Sequence, residues 1–119
     1  MMEFFLKAKL HRATITEADL TYEGSISIDS DLMDAVGLKD FERVHIYNIN
    51  NGERFETYVI RKHEKGIIGL NGAAARKGLA GDKIIIVSYC MLDSGSKDTH
   101  TPKIALLDDE NWIKQLIDR

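Results

Sequence analysis

The sequence predicts a mainly β fold with short helices, and three observations carry that expectation. Several runs are rich in β-branched and aromatic residues, an Asn-Gly pair sits between two of them, and one small unit of helix, turn and strand occurs twice.

Residues 3–10 and 22–28 are rich in β-formers. In the second run Tyr22, Gly24, Ile26 and Ile28 alternate with Glu23, Ser25, Ser27 and Asp29, the two-residue period of a strand. Asp29 or Ser30 is placed to cap a short helix over Asp31 to Val36, which Gly37 ends. Val44 to Asn50 and Glu53 to Arg61 flank Asn51-Gly52, a pair that tolerates the positive φ angles of a type I′ hairpin turn. A further short helix is expected over Ala74 to Lys77 and a strand over Lys83 to Met91. Asp108 to Ile117 reads as a helix that opens on an aspartate and carries Trp112, Ile113 and Leu116 on one stripe.

The repeated unit bears on architecture. Ala35-Val36-Gly37-Leu38 leads through a charged turn into Val44-His45-Ile46, and Lys77-Gly78-Leu79 leads through Ala80-Gly81-Asp82 into Ile84-Ile85-Ile86. Two such copies suit a pseudo-symmetric closed barrel, because closure removes the exposed edges of short strands.

With 119 residues the chain fits a single domain over 1–119. Its composition, 44% hydrophobic and 29% charged with a net charge of −3, is that of a globular protein and does not point to nucleic acid. Glu3, Lys7 and Lys9 interrupt the apolar start, so no signal peptide is expected, and no segment has the length of a membrane span. The lone Cys90 lies in an apolar run, which fits a buried thiol and a reducing cytoplasm. His45, His63 and His100 lack metal-ligand spacing with one another or with Cys90, so no metal is expected.

From Leu6 to Met91 the motifs fall in a specific order: Lys9-Leu10-His11-Arg12, Ala18-Asp19-Leu20, Tyr22-Glu23-Gly24-Ser25, Ile28-Asp29, Asn51-Gly52, Arg54-Phe55, Thr57-Tyr58 and Asn71-Gly72-Ala73-Ala74-Ala75. Together they resemble the aspartate 1-decarboxylase family. The resemblance implies a six-stranded double-psi β-barrel, a homotetramer with sites between subunits, and a precursor that cuts itself between Gly24 and Ser25. In that reading Ser25 Oγ attacks the Gly24 carbonyl in an N-to-O acyl shift, and glycine suits the site by permitting a strained backbone. β-Elimination then releases residues 1–24, and hydrolysis leaves a pyruvoyl cofactor at the start of 25–119. That ketone forms a Schiff base with the substrate amine and takes up the electrons left by departing carbon dioxide.

Other residues gain roles from the same resemblance. Arg54 and Tyr58 are four apart on a strand, so they share a face. The Arg54 fork suits a carboxylate, and Tyr58 carries a phenolic proton for the carbanion. Lys9 is a second carboxylate contact, and His11 shares its face. Thr57 is expected on the opposite face from Tyr58, although the family uses that threonine during self-cleavage. Asn71 orients groups around residue 25, Gly72, Ala73 and Ala74 line the substrate site, and Tyr22 supports processing. Tyr47 stands where many members carry tryptophan, and the tail after Asp93 matches weakly beyond Pro102, so no function is carried onto it. The expected reaction is L-aspartate to β-alanine and carbon dioxide in pantothenate biosynthesis, in the cytoplasm, with self-cleavage either unaided or with a maturation factor. The alternatives are the same chemistry on glutamate, or a silent barrel used for binding.

Overall fold

The computed structural model describes residues 1–118. Its strands are β1 (Met2–Thr14), β2 (Glu17–Asp19), β3 (Ser25–Asp29), β4 (Arg43–Asn48), β5 (Arg54–Lys62), β6 (Ile68–Asn71), β7 (Lys83–Asp93), β8 (Lys103–Leu107) and β9 (Ile113–Asp118). One α-helix, α1 (Ser30–Val36), and 3-10 helices at Gly72–Arg76 and Ser94–Thr99 complete the described elements. The fold is mainly β, as the sequence predicts.

The strands pair in the order β2-β6-β3-β5-β4-β7-β1-β8-β9. Only Ile15 and Thr16 separate β1 from β2, and Ile15 N–H bonds the Asp82 carbonyl while Thr16 N–H bonds that of Ile68, at 2.9 and 2.8 Å. The run 2–19 therefore touches β7 at one end and β6 at the other, and closes a ring. Counting that run as one bent strand, the ring has six members, β3 to β7 and itself, with the β8–β9 hairpin added outside on β1. The six-stranded barrel implied by the resemblance is this ring.

The ring is pseudo-symmetric. Exchanging β3 with β6, β4 with β7 and β5 with the β1–β2 run sends each pairing onto one of the same sense. The two turns agree in detail. Glu42 accepts a 3.0 Å hydrogen bond from Lys39 N–H, and Asp82 accepts one of the same length from Leu79 N–H. Phe41 (φ 67°) and Gly81 (φ 97°) hold equivalent left-handed positions. The true equivalence is Lys39 with Leu79, one residue away from the Gly-Leu match in the sequence.

Alternation in the strands fills the ring. Leu10, Ile26, Ile28, Val44, Ile46, Val59, Ile68, Leu70, Ile84 and Ile86 are fully buried and build the core with Leu32, Met33 and Val36 of α1. Asp29 caps α1 by accepting from Asp31 N–H, and Gly37 ends it at φ 77°.

Five expectations are corrected. Strand β3 begins only at Ser25, because Asp19 accepts from the backbone N–H and hydroxyl of Thr21 and turns the chain. All five β3 residues are buried, so its alternation does not mark a wet face. The hairpin turn is not type I′, since Gly52 is left-handed but Asn51 is not, and the Asn48 side chain instead accepts from Asn50 N–H at 2.8 Å. The helix expected over Ala74 to Lys77 is the 3-10 turn Gly72–Arg76. The tail is a strand, not a helix: the Asp108 carboxylate accepts from Glu110 and Trp112 N–H, each at 2.9 Å, and so closes a hairpin turn. Cys90 is half-buried and free, because β7 runs past the core at that point.

Candidate functional site

Ser25 opens β3 in antiparallel register with Asn71, the last residue of β6. A serine at a strand end is usually solvated, but this one is only 1% exposed. Its Oγ donates to the Glu23 carbonyl at 3.1 Å and accepts from Asn71 Nδ2 at 3.0 Å. The same Nδ2 donates to Ser27 Oγ, also at 3.0 Å. Asn71 is itself buried, so its amide is committed to β3 and holds the Ser25 side chain in place.

The close approach at this point belongs to Gly72 rather than Gly24. Gly72 has φ 64°, and a Cβ there would lie 2.7 Å from both Cα and N of Gly24 and 2.8 Å from the Tyr22 carbonyl oxygen. Gly24 has no left-handed φ, and a Cβ on it would meet nothing within 4 Å. The left-handed, closely approached glycine at this point is therefore Gly72, at the start of the 3-10 turn, rather than Gly24. Ala74 is buried in that turn and Ala73 is exposed, so only part of this stretch faces solvent.

Strand β5 supplies the next pair. It runs parallel to β3 with Ile26 beside Val59. Continued towards the N-terminus, that register aligns Ser25 with Tyr58 and Gly24 with Thr57. Phe55 packs on the core and Val59 is fully buried, so odd positions of β5 point inward and Arg54, Glu56 and Tyr58 point outward. Thr57 thus lies on the opposite face from Arg54 and Tyr58, as the sequence predicts. Its alignment with Gly24 requires no bulge: the Gly24-Ser25 bond meets β5 where one neighbour faces in and the next faces out.

The outer face carries more than the sequence indicated. Arg54 and Tyr47 are cross-strand partners, and the guanidinium lies 3.8 Å over the Tyr47 ring. The Tyr47 hydroxyl is 2.8 Å from that of Tyr89 on β7. Burial, followed by this hydroxyl contact, pushes the Tyr47 phenol up to about 12. His45 meets the Tyr89 ring edge-on at 5.2 Å. Phe4, Glu42, Arg43, His45 and Tyr89 line an open groove of about 460 Å³, adjoining Tyr58 through its cross-strand partner Arg43. Tyr89 was missed because only the β4–β7 pairing, which is remote in sequence, brings it to Tyr47.

The remaining candidates divide. Tyr22 is half exposed, with Lys62 Nζ 5.5 Å from its ring centroid, and its carbonyl is one of the walls around Gly72. Lys9 is half-buried on the outer face of β1, with β7 and β4 between it and β5. The chain does not bring Lys9 to Arg54. His11 follows on the same strand, its Nδ1 buried without a hydrogen-bond partner among the described residues. Burial, then Lys9 and Arg12, lower its pKa below the usual 6.5.

Comparison with known proteins identifies the family. The family model described as aspartate decarboxylase matches residues 1–114, so the likeness extends into the tail. A protein of Desulfotalea psychrophila is 52% identical over 118 residues, covering 98% of this chain and 99% of its own length. One from Bordetella avium is 51% identical over 117 residues, covering 98% and 96%. One from Caldicellulosiruptor saccharolyticus is 56% identical over 112 residues, covering 93% and 88%. All three relatives carry the name aspartate 1-decarboxylase.

Proposed function

Because this chain belongs to the aspartate decarboxylase family, we propose that it converts L-aspartate to β-alanine and carbon dioxide, using a pyruvoyl group made from its own Ser25. The observation that carries the reading is the buried Ser25, held by Asn71 against a backbone segment that only a glycine at position 72 accommodates.

The residues fit both the making and the holding of that group. Cleavage forms a bond from Ser25 Oγ to the Gly24 carbonyl carbon as the peptide C–N bond breaks. Elimination then takes the Ser25 Cα proton and breaks the Cβ–Oγ bond, so residues 1–24 leave as a carboxylate, and water replaces the nitrogen as ammonia. Thr57, aligned with Gly24, offers its hydroxyl to the carbonyl oxygen that gains charge. Asn71 Nδ2, already aimed at residue 25, supplies a donor to the oxygens there. Once formed, the group serves as an electron sink for decarboxylation. Arg54 presents its fork to a substrate carboxylate, and Tyr58, aligned with Ser25, delivers a proton to the carbon that loses carbon dioxide.

Lys9 bears on assembly. With two strands between it and β5, it serves a site that its own β5 does not form, which favours a homotetramer with sites between copies. We place the enzyme in the cytoplasm, where the free Cys90 thiol persists, and its product in pantothenate biosynthesis.

Intact-mass analysis tests the proposal. Purified protein, incubated with and without a maturation factor, is expected to become chains of residues 1–24 and 25–119. The larger should be lighter by one ammonia than hydrolysis would leave it, and Ser25→Ala should stay whole. The processed enzyme should release carbon dioxide from aspartate with a higher kcat/KM than from glutamate. A chain that stays intact under both conditions overturns the reading.

A further inference from the structure

The stack on the outer face assigns a role to a residue that lies two strands away from Arg54. An arginine at an exposed strand position samples many rotamers, so its fork is poorly placed for a planar partner. Here the guanidinium face rests on Tyr47 at 3.8 Å, which leaves the N–H edge free. Among the described residues, no hydrogen bond or ion pair uses that edge, and the neighbouring Glu56 carboxylate lies instead 3.7 Å from His45 Nε2 and 3.9 Å from Arg43 Nε. The Tyr47 ring is a fixed platform only if it is held itself. The tether is the 2.8 Å contact between the Tyr47 and Tyr89 hydroxyls, with His45 packed on the far ring.

We propose that Tyr89 is a positioning residue for substrate recognition: it acts through Tyr47, whose ring it holds beneath Arg54 so that the guanidinium edge faces the aspartate carboxylate. The inference rests on Arg54 being the substrate contact. Burial and the hydroxyl contact push the Tyr47 phenol above its usual value, so it keeps its proton through the neutral range.

Steady-state kinetics of processed Tyr89→Phe test it. Loss of one hydroxyl contact should raise KM for aspartate about three- to tenfold, with kcat unchanged and the rate of self-cleavage unchanged. Tyr47→Phe breaks the same contact from the other side, so it should match that rise, and the double variant should add nothing further. In an Arg54→Ala background, where KM is already high, Tyr89→Phe should have no effect on KM; a general packing defect would still raise it. If Arg54→Ala leaves KM at the parent value, the carboxylate site itself is wrong and the proposal falls with it. If Arg54→Ala raises KM but Tyr89→Phe does not, or if the two Phe substitutions add, the site stands and the positioning role is overturned.

Discussion

Gly72 and Gly24 are distant in sequence, yet the space left by the first sets the path of the second. With Gly72 changed to Ala, a methyl group would have to displace Gly24 or the Tyr22 carbonyl by about half an ångström or more, and the left-handed backbone itself costs about 1–2 kcal/mol. Gly72→Ala should therefore fold with reduced stability and cleave between Gly24 and Ser25 far more slowly, although Ser25 is untouched. A mass-spectrometric time course at the parent rate would remove Gly72 from the processing geometry, and Gly24→Ala, which meets no atoms within 4 Å, is the folding control. His11 gives a second prediction. Its folded pKa lies below the unfolded value, so the neutral ring is favoured by folding. The stability it contributes is complete above pH 6.5 and is lost as pH falls from there through the folded pKa. The His11 ring protons should titrate below 6.5 by NMR; a midpoint at or above that value contradicts it. Ser25, Asn71 and Tyr58 could be singled out as candidates because they sit in short motifs. The Gly72 contact and the Tyr89 tether were not, since each joins strands brought together only by the ring.

Among the elements, the β8–β9 hairpin shows how a turn can imitate a helix in sequence. An aspartate followed by polar residues and an apolar stripe fits a capped helix, but the same carboxylate can close a tight turn, and nothing local decides between them. What decides is Asn111. It is buried with φ 63°, donates from Nδ2 to the carbonyls of Thr14 at 2.9 Å and Gly66 at 2.8 Å, and accepts from Thr14 N–H at 2.7 Å. It pins the hairpin tip to the end of β1 and the loop before β6. Asn111→Ala leaves those buried groups unpaired and keeps the left-handed backbone, so chemical denaturation should show a loss of about 2–4 kcal/mol. A loss below about 0.5 kcal/mol, the usual scatter of surface changes, would mean the hairpin is held by its strand pairing alone. The first helix and the β4 and β7 runs were legible because cap, period and stop signals agree there.

At the scale of the molecule, the repeated helix-turn-strand unit pointed to a closed pseudo-symmetric ring, and the pairings bear it out. The register of the repeat was one residue out because Gly-Leu is a conspicuous match, whereas the structurally equivalent residues are the acids Glu42 and Asp82 that cap each turn. Ring closure through residues 2–19 was not legible at all, since no local signal says that one run pairs at both its ends. That closure has a kinetic consequence. β1 lies between β7 and β8 and β2 lies on β6, so a cut after Gly24 leaves the short chain held by three ladders with no covalent link. Before the cut, the two parts meet as one chain, at an effective concentration on the order of millimolar. Afterwards they must find each other by diffusion. Uncleaved Ser25→Ala should regain its β signal after denaturant dilution at a rate independent of protein concentration in the low micromolar range, whereas the processed protein should recover slowly and in proportion to concentration, as followed by circular dichroism. Equal first-order recovery of both would show that residues 25–119 fold without their partner. If recovery of the processed protein instead depends on concentration, the instructions for folding belong to the precursor alone, and maturation is a one-way step that trades the ability to refold for a working active site.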